Sequence, residues 1–354
     1  MTTGSDSKDA FNQNRIPARE LGPDAEGTQR VGPLVELPAL LRELGAKPTE
    51  VLASVGISAK ALENVENRIP SLAVESLLNE CALKTGCAHF GLLLGLRTRL
   101  SHMGLLGEIV RKSPTLGAAI RTFAVYQHLN SPSIATFLSE KNGMAFVGVV
   151  VYAKGAKDPT QACDLGLAAA YTSIRELCGN RLKIGRVLLS HSKPIDTRPY
   201  IEAFQAPCRF NADRMALVFS RRELDRRLAD ADGEKLRVLE QQARAGGDQS
   251  LILSVRRSLR TLLFGRVASV DQVARLLHMH RRTLNRRLKA EATTFKKLLD
   301  EVRFDAACQM LDTSSIPVAE IAASLGYSDP TAFSRAFRRW SGVTPLQRRV
   351  EQKT

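Results

Sequence analysis

The stretch Leu325–Pro345, LGYSDPTAFSRAFRRWSGVTP, decides how the C-terminal part of this chain folds. Asp329 is a favourable N-cap residue, and Pro330 suits the first helical position, where no backbone N–H is needed. Gly342 supplies a left-handed C-cap, and Pro345 prevents the helix from resuming. The apolar face of this predicted helix is formed by Ala332, Phe333, Ala336, Phe337 and Trp340, and its polar face by Thr331, Ser334, Arg335 and Arg338.

A shorter amphipathic helix precedes this stretch. Its apolar positions are Val318, Ile321, Ala322 and Leu325, and Gly326 then makes a tight turn. A helix, a short turn with glycine and a basic second helix form the helix-turn-helix pattern. One basic helix is explained equally well as a solvated charged face, so the argument depends on repetition.

The pattern occurs a second time, upstream. Ser269 and Gln272 form a capping box before the apolar positions of a first helix. The turn 278–280 then leads into a basic helix in which Leu284 and Leu288 face inward. Its polar face consists of Arg282, Asn285, Arg286 and Lys289, which have the same spacing as the polar residues of the predicted helix after Asp329.

A long amphipathic helix, Phe295–Leu311, is predicted between the two units. Its length of roughly 25 Å, with the flanking turns, suits two recognition helices about one DNA turn apart. We predict two sets of DNA contacts from these helices. Base edges are read by Arg282, Asn285, Arg286, Thr331, Ser334 and Arg335, because Arg pairs with guanine and Asn with adenine. Phosphates are held by Arg281, Lys289, Arg338 and Arg339.

These residues resemble the DNA-binding domain of the AraC/XylS family of bacterial transcription regulators, over about residues 251–349. The resemblance is carried by Ile321-Ala322, Leu325-Gly326-Tyr327, Phe333 to Trp340, Gly342 to Pro345, Arg282-Thr283-Leu284, Arg286-Arg287-Leu288 and Thr294-Phe295. His280 stands where the family usually has a capping Ser, and Ala292 where it usually has Gly. His280 can cap the helix through its ring. The resemblance implies operator DNA and RNA polymerase as partners, and activation more often than repression.

The charge distribution agrees with a DNA-binding C-terminal region. From Leu251 onward there are 19 Lys and Arg against 9 Asp and Glu, whereas the preceding 250 residues have 32 against 27. An excess of positive charge neutralises DNA phosphates. An acidic protein or a membrane surface would also attract this excess of positive charge. However, the basic residues recur at helical spacing, which favours DNA as the partner.

The rest of the chain is predicted as a second, mixed domain. Residues 1–30 have the composition of a disordered tail. Residues 31–230 begin with helical patterns and continue with β-rich runs on both sides of Lys141-Asn142-Gly143, a strong hairpin signal. The fold class is thus an α+β domain with a helical front half and an antiparallel β element, followed by an all-α domain, 251–350. The charged stretch 231–250 is predicted as a linker, partly helical.

This second domain resembles the N-terminal effector-sensing domain of the arabinose-binding-like AraC subgroup. The resemblance is looser and is carried by Leu41 to Gly45, Leu92 to Gly95, Gly104 to Gly107, Pro114 to Ala119 and Phe210 to Phe219. It implies a small organic effector or a homodimer, without identifying effector-binding residues. Tyr126 to His128, Tyr171, Arg175, Arg181 and Arg186 are candidates, but core packing or solvated arginine explains them as well.

No motif for catalysis, a cofactor or a metal is present, and the six cysteines are scattered as singly placed, reduced thiols. There is no signal-peptide pattern and no apolar run near 18 residues, so we expect a cytoplasmic protein without a membrane partner. Two other classes stay open. One is an architectural DNA-binding protein without a ligand. The other is a DNA-repair enzyme fused to a DNA reader, which needs an activated cysteine; Cys208-Arg209 comes nearest.

Overall fold

In a computed structural model of the chain, the described residues are 27–151, 158–245, 250–264, 268–277, 279–313 and 316–351. The tail predicted for residues 1–30 ends earlier than expected. Thr28–Arg30 form a short strand, β1, which pairs antiparallel with β2, Arg68–Pro70. Arg30 is 6% exposed and forms an ion pair with Glu66, so a buried charge fixes this strand. Residues 1–26 lie outside the described residues.

The front domain begins with helices, as the sequence predicted. Their bounds are α1 Leu37–Glu43, α2 Pro48–Ser54, α3 Ser71–Thr85, α4 Phe90–Arg97, α5 Leu105–Arg111 and α6 Leu116–Tyr126. A longer helix, α7, spans Thr160–Cys178, and a short one, α8, spans Arg198–Phe204. Helices α1, α2 and α3 pack around an apolar core that includes Leu37, Leu41 and Leu77, and Leu94 of α4 and Leu165 of α7 also belong to this core.

The predicted hairpin is present as β3, Ile134–Lys141, and β4, Met144–Val151. Asn142 and Gly143 have φ of 50° and 74°, the left-handed values that a tight two-residue hairpin turn needs. Gly148 lies opposite Phe137, where a Cβ would approach the Phe137 ring to 2.3 Å, so only glycine fits.

The sheet continues with strands distant in sequence. β5 Arg186–Leu188, β6 Cys208–Arg209 and β7 Ala216–Ser220 give the order β3-β4-β7-β5-β6. The pairs are antiparallel except β5–β6, which is parallel.

Both faces of this sheet are apolar. Leu217 and Phe219 of β7 belong to the core that contains helix α7, whereas Ala216 and Val218 belong to a second core on the opposite face. Successive residues of a strand point to opposite faces of the sheet. Because the residues on both faces of β7 are buried, a layer of other elements must cover each face. The second layer comes from the C-terminal half of the chain.

The predicted linker is mostly helix. Helix α9, Gly233–Ala245, packs Ala243, which is 1% exposed, against the core of the front domain. Arg244 Nε also donates to the Tyr126 hydroxyl at 3.2 Å. The helical part of this stretch is therefore attached to the front domain.

The C-terminal domain is all-α, as predicted. Its helices are α10 Leu251–Phe264, α11 Val270–Leu276, α12 Arg281–Ala290, α13 Phe295–Thr313, α14 Val318–Ser324, α15 Pro330–Ser341 and α16 Pro345–Glu351. Helix α10 shares one core with the sheet and with α11 to α15, because Val255, Leu259 and Leu263 are all buried in it. In addition, Thr261 Oγ1 donates to the Ala124 carbonyl at 3.5 Å, across the boundary between the domains.

Within the described ranges, no helix combines the length and the apolar composition needed to cross a bilayer.

Candidate nucleic-acid interface

The second helix-turn-helix unit consists of α14 and α15. Asp329 caps α15 by accepting hydrogen bonds from the backbone N–H groups of Thr331, at 2.8 Å, and Ala332, at 3.1 Å. These bonds lower the pKa of the Asp329 carboxyl, with the Thr331 N–H as the largest cause, so the cap stays charged. At the other end, Gly342 has a φ of 86° and closes the helix. The local chemistry thus fixes both ends of α15 as predicted.

Burial separates the two faces of α15. Phe333, Phe337 and Trp340 are at most 3% exposed, and the last two rings pack against Phe304 of α13. On the other side, Thr331, Arg335 and Arg338 are exposed, and Ser334 is half-buried. The Ser334 hydroxyl donates to the Pro330 carbonyl at 3.0 Å, which leaves its oxygen free to accept.

The first unit, α11 and α12, repeats this arrangement. The Ser269 hydroxyl caps α11 by accepting from the Gln272 N–H at 3.3 Å. His280 Nδ1 accepts from the Arg282 N–H at 3.2 Å, so the ring caps α12. Leu284 and Leu288 are fully buried. The exposed residues of this helix include Arg281, Arg282, Asn285, Arg286 and Lys289.

The predicted base-contacting cations differ electrostatically from two of the predicted phosphate contacts. Within the described part of the chain, Arg282, Arg286 and Arg335 form no ion pair within 4 Å. By contrast, Arg281 Nη1 lies 3.5 Å from an Asp271 oxygen, and Arg339 Nη2 lies 3.4 Å from Asp300. The three unpaired side chains are therefore available to a ligand without breaking an existing contact.

Side chains that the sequence analysis did not single out hold the two units on α13. Arg303 Nε donates to the Leu325 carbonyl at 3.1 Å, and its guanidinium lies 4.7 Å from the centre of the Tyr327 ring. Arg348 binds both oxygens of Asp312, at 2.9 and 2.6 Å. On the side of the first unit, Arg256 of α10 pairs with Glu301 of α13. No periodic pattern predicts these pairs, because each joins helices that are distant in sequence.

The candidate cysteine of the repair-enzyme alternative lacks activation. Burial raises the pKa of the Cys208 thiol to about 11, and burial likewise raises the pKa of Cys178 to about 11. Alkyl transfer needs a thiolate, which forms where the pKa is lowered. Among the described residues, no cluster of three or more His, Cys, Asp or Glu side chains has the arrangement of a metal site.

The fold and the two exposed basic helices define a DNA-binding helix-turn-helix transcription regulator. Residues 45–228 match the model of the arabinose-binding domain of AraC transcription regulators, and residues 273–350 match a helix-turn-helix domain. The chain belongs to the AraC family of transcription regulators.

Two relatives in sequence support this assignment. The HTH-type transcriptional regulator VirS of Mycobacterium tuberculosis is 31% identical over 318 residues, which cover 88% of this chain and 93% of VirS. The ornithine utilization regulator of Pseudomonas aeruginosa is 29% identical over 311 residues, which cover 86% of this chain and 91% of that protein. The crystal structure of the transcriptional regulator CdpR from Pseudomonas aeruginosa aligns with 87% of this chain and 97% of its own, at 26% identity and a TM-score of 0.42.

Proposed function

We propose that this regulator reads two adjacent major-groove segments of an operator in a sequence-specific way. Base edges are read from α12 by Arg282, Asn285 and Arg286, and from α15 by Thr331, Ser334 and Arg335. Phosphates are held by Arg281, Lys289, Arg338 and Arg339. The observation that carries the proposal is the repeated polar face, at the same i, i+3, i+4, i+7 spacing on two capped helices, which is exposed at every position except the half-buried Ser334.

The connector α13 supports a bipartite site. Its 19 residues correspond to a rod of about 28 Å. Arg256, Arg303 and Arg348 join this rod to α10, to the end of α14 and to α16, and we infer that these contacts hold the two recognition helices at a fixed separation. A fixed separation favours two half-elements about one helical turn of DNA apart.

We further propose that a small organic effector controls this activity through the front domain, residues 31–230, with 231–250 as the connection to the DNA-reading domain. The support is the common core of the sheet and α10, in which Val218 of the sheet and Leu259 of α10 are both buried. An effector that prefers one docking arrangement shifts the population toward it, by no more than its difference in affinity for the two arrangements. Activation through RNA polymerase and function as a homodimer are the parts of this proposal that rest on the family resemblance.

Selection from randomised duplex DNA tests the reading mechanism. The full chain is incubated with the pool, and the retained DNA is sequenced for three proteins. These are the wild type, the Arg286→Ala/Arg335→Ala double variant and a control, Arg222→Ala/Arg237→Ala, which removes two exposed arginines outside the DNA-reading domain. We expect two enriched elements about one turn apart for the wild type and the control, and loss of both elements in the test variant.

An architectural role gives a different result in the same experiment. Retention that depends on salt, without an enriched motif in any of the three proteins, indicates binding to phosphates alone. Such a result contradicts the proposed reading of bases and favours the architectural class.

A further inference from the structure

A cleft of about 70 Å³ lies between the two domains. On the side of the front domain, its wall includes Val149 and Val151 of β4 and Met215, which comes just before β7. On the other side, its wall includes Ala306 and Met310 of the connector α13. A molecule in this cleft would therefore contact both domains at once.

Most of the residues that line the cleft are apolar, and they come from both walls. Val149 and Met215 belong to the apolar core of the front domain, whereas Ala306 and Met310 belong to the core that the sheet shares with the DNA-reading domain. The cleft thus lies where the two cores approach each other. A hydrocarbon chain placed there would remove apolar surface of both domains from water, which favours binding.

The charged side chains of the lining are already paired. Arg214 donates to Asp213 Oδ2, from Nε at 3.0 Å and from Nη2 at 2.5 Å. His191 places Nε2 at 3.1 Å from Asp164 Oδ1 and Nδ1 at 3.0 Å from the Ser192 carbonyl. Both neighbours are acceptors, so both ring nitrogens carry hydrogen, and the resulting imidazolium pairs with the Asp164 carboxylate. Among the described residues of the lining, no charge is left for a ligand to neutralise, so an ion would lose hydration without gaining a counter-charge.

Hydrogen-bonding capacity remains in the same wall. Arg214 binds only Oδ2 of Asp213, so Oδ1 can accept a hydrogen bond from a ligand. Ser190, which is half-buried in the lining, can donate or accept through its hydroxyl. A hydroxyl group on a ligand both donates and accepts, so it matches these two groups without adding charge.

We propose that the cleft binds a small neutral alcohol, whose hydroxyl donates to Asp213 and whose hydrocarbon chain packs between Val149 and Met310. The volume corresponds to roughly five water-sized probes, which fits about four to seven non-hydrogen atoms. Its regulatory meaning rests on the proposed effector control: because the ligand contacts both walls, it favours the docked arrangement of the two domains. Any change that the alcohol makes in operator affinity must equal the change that the operator makes in alcohol affinity.

Calorimetric titration of the full chain tests the binding. The probe is 1-pentanol, and it is compared with butyl methyl ether, pentylammonium chloride and sodium butyrate, which have the same number of non-hydrogen atoms, at matched ionic strength. We expect 1-pentanol to bind with a Kd of about 1 mM or lower, the ether about fivefold more weakly because it cannot donate to Asp213, and the two ions more weakly still. If 1-pentanol does not bind, or if the ether or either ion binds as tightly as 1-pentanol, the proposal is overturned.

Variants of the connector locate the site. Met310→Ala enlarges the cleft and should shift the preferred straight-chain alcohol to one that is longer by about two or three carbons. The matched control is Met279→Ala, because Met279 is likewise half-buried against the same core but is not among the residues that line the cleft. Ala306→Leu fills the cleft and should weaken 1-pentanol about tenfold or more. If Ala306→Leu does not fold, the preference for chain length decides alone, and an unchanged preference in Met310→Ala contradicts the assignment.

Titration of the same proteins with operator DNA, with and without 1-pentanol, separates the two proposals. If the alcohol binds in the cleft but leaves operator affinity unchanged, the result supports the alcohol site and contradicts effector control by this ligand. If the alcohol changes operator affinity about two-fold or more in the wild type and in Met279→Ala, but not in Ala306→Leu, the result supports both.

Discussion

Arg303 of the connector helix and Tyr327 of the second helix-turn-helix turn are stacked, with the guanidinium 4.7 Å from the ring centre. The same side chain donates from Nε to the Leu325 carbonyl at 3.1 Å. One residue of the connector thus satisfies a C-terminal carbonyl of α14 and covers the aromatic ring that follows it. This contact joins the connector to the turn that leads into the second recognition helix.

Replacing Arg303 with Met should therefore weaken binding to a two-element operator more than binding to the second element alone. Loss of the stacked cation and the hydrogen bond should lower the free energy of unfolding by about 1–2 kcal/mol. Fluorescence anisotropy with the two DNA duplexes measures the difference. The variant should also tolerate a change of one base pair in the spacing between the two elements better than the wild type does. Arg222→Met, at an exposed position of the front domain, is the control. Equal losses on both duplexes contradict a positioning role.

Arg335→Ala and Lys289→Ala should have different effects on DNA binding, the first on sequence preference and the second on affinity for all sequences. Both side chains are exposed. Loss of a base contact by Arg335 should cost about 1–3 kcal/mol at one or two base pairs and relax the preference there. Loss of a phosphate contact by Lys289 should weaken all sequences alike and reduce the slope of log K against log salt by about 0.9. Affinities for single-base operator variants at several salt concentrations measure both effects. Identical losses on every sequence for both variants contradict the assignment of Arg335.

Ala292→Gly should stabilise the protein. Ala292 follows α12 with a φ of 53°, a left-handed conformation that a Cβ disfavours by about 1–2 kcal/mol. Glycine removes this strain but loses more entropy on folding, which leaves an expected gain of up to about 1 kcal/mol. Urea unfolding measures the change. The matched control is Ala290→Gly, at the exposed last residue of α12, and it should destabilise by about 0.5–1 kcal/mol. A loss of stability in both variants contradicts the prediction.

Glu75→Gln should stabilise the protein in a pH-dependent way. The pKa of Glu75 in the folded state, about 7, exceeds its usual value of 4.5, so the folded chain binds more protons between these values. Stability contributed by the protonated group is lost as pH rises from about 4.5 to about 7, by up to about 1.4 kcal/mol per pH unit.

We therefore expect Glu75→Gln to be more stable than the wild type at pH 8 and about equal to it at pH 4.5. Denaturant unfolding at both pH values measures the difference. Glu63→Gln, at an exposed carboxylate of the same domain, should give no pH-dependent difference. A constant difference at both pH values contradicts burial of the carboxyl as the cause.

Local sequence patterns predicted the turns and helix ends, because residues close together in the chain determine them. The hairpin turn at Asn142-Gly143, the cap at Asp329 and the left-handed Gly342 all follow from chemistry within four residues. Alternation within a strand showed which residues share a face. It did not show what covers that face, because the covering helix, α10, begins more than 30 residues after β7 ends.

By itself, the sequence determined two helix-turn-helix units, because caps, periodicity and charge act over a few residues at a time, and its motif residues carried the resemblance to the AraC family. Only the tertiary structure decided which side chains join distant elements. Arg303 meets Tyr327, and Asp164 meets His191 and Tyr200, through contacts across 24 to 36 positions of the chain. The cleft between Asp213 of the front domain and Met310 of α13 is decided at the same level, because its walls come from segments that have no common periodicity and meet only when the second apolar face of the sheet is buried.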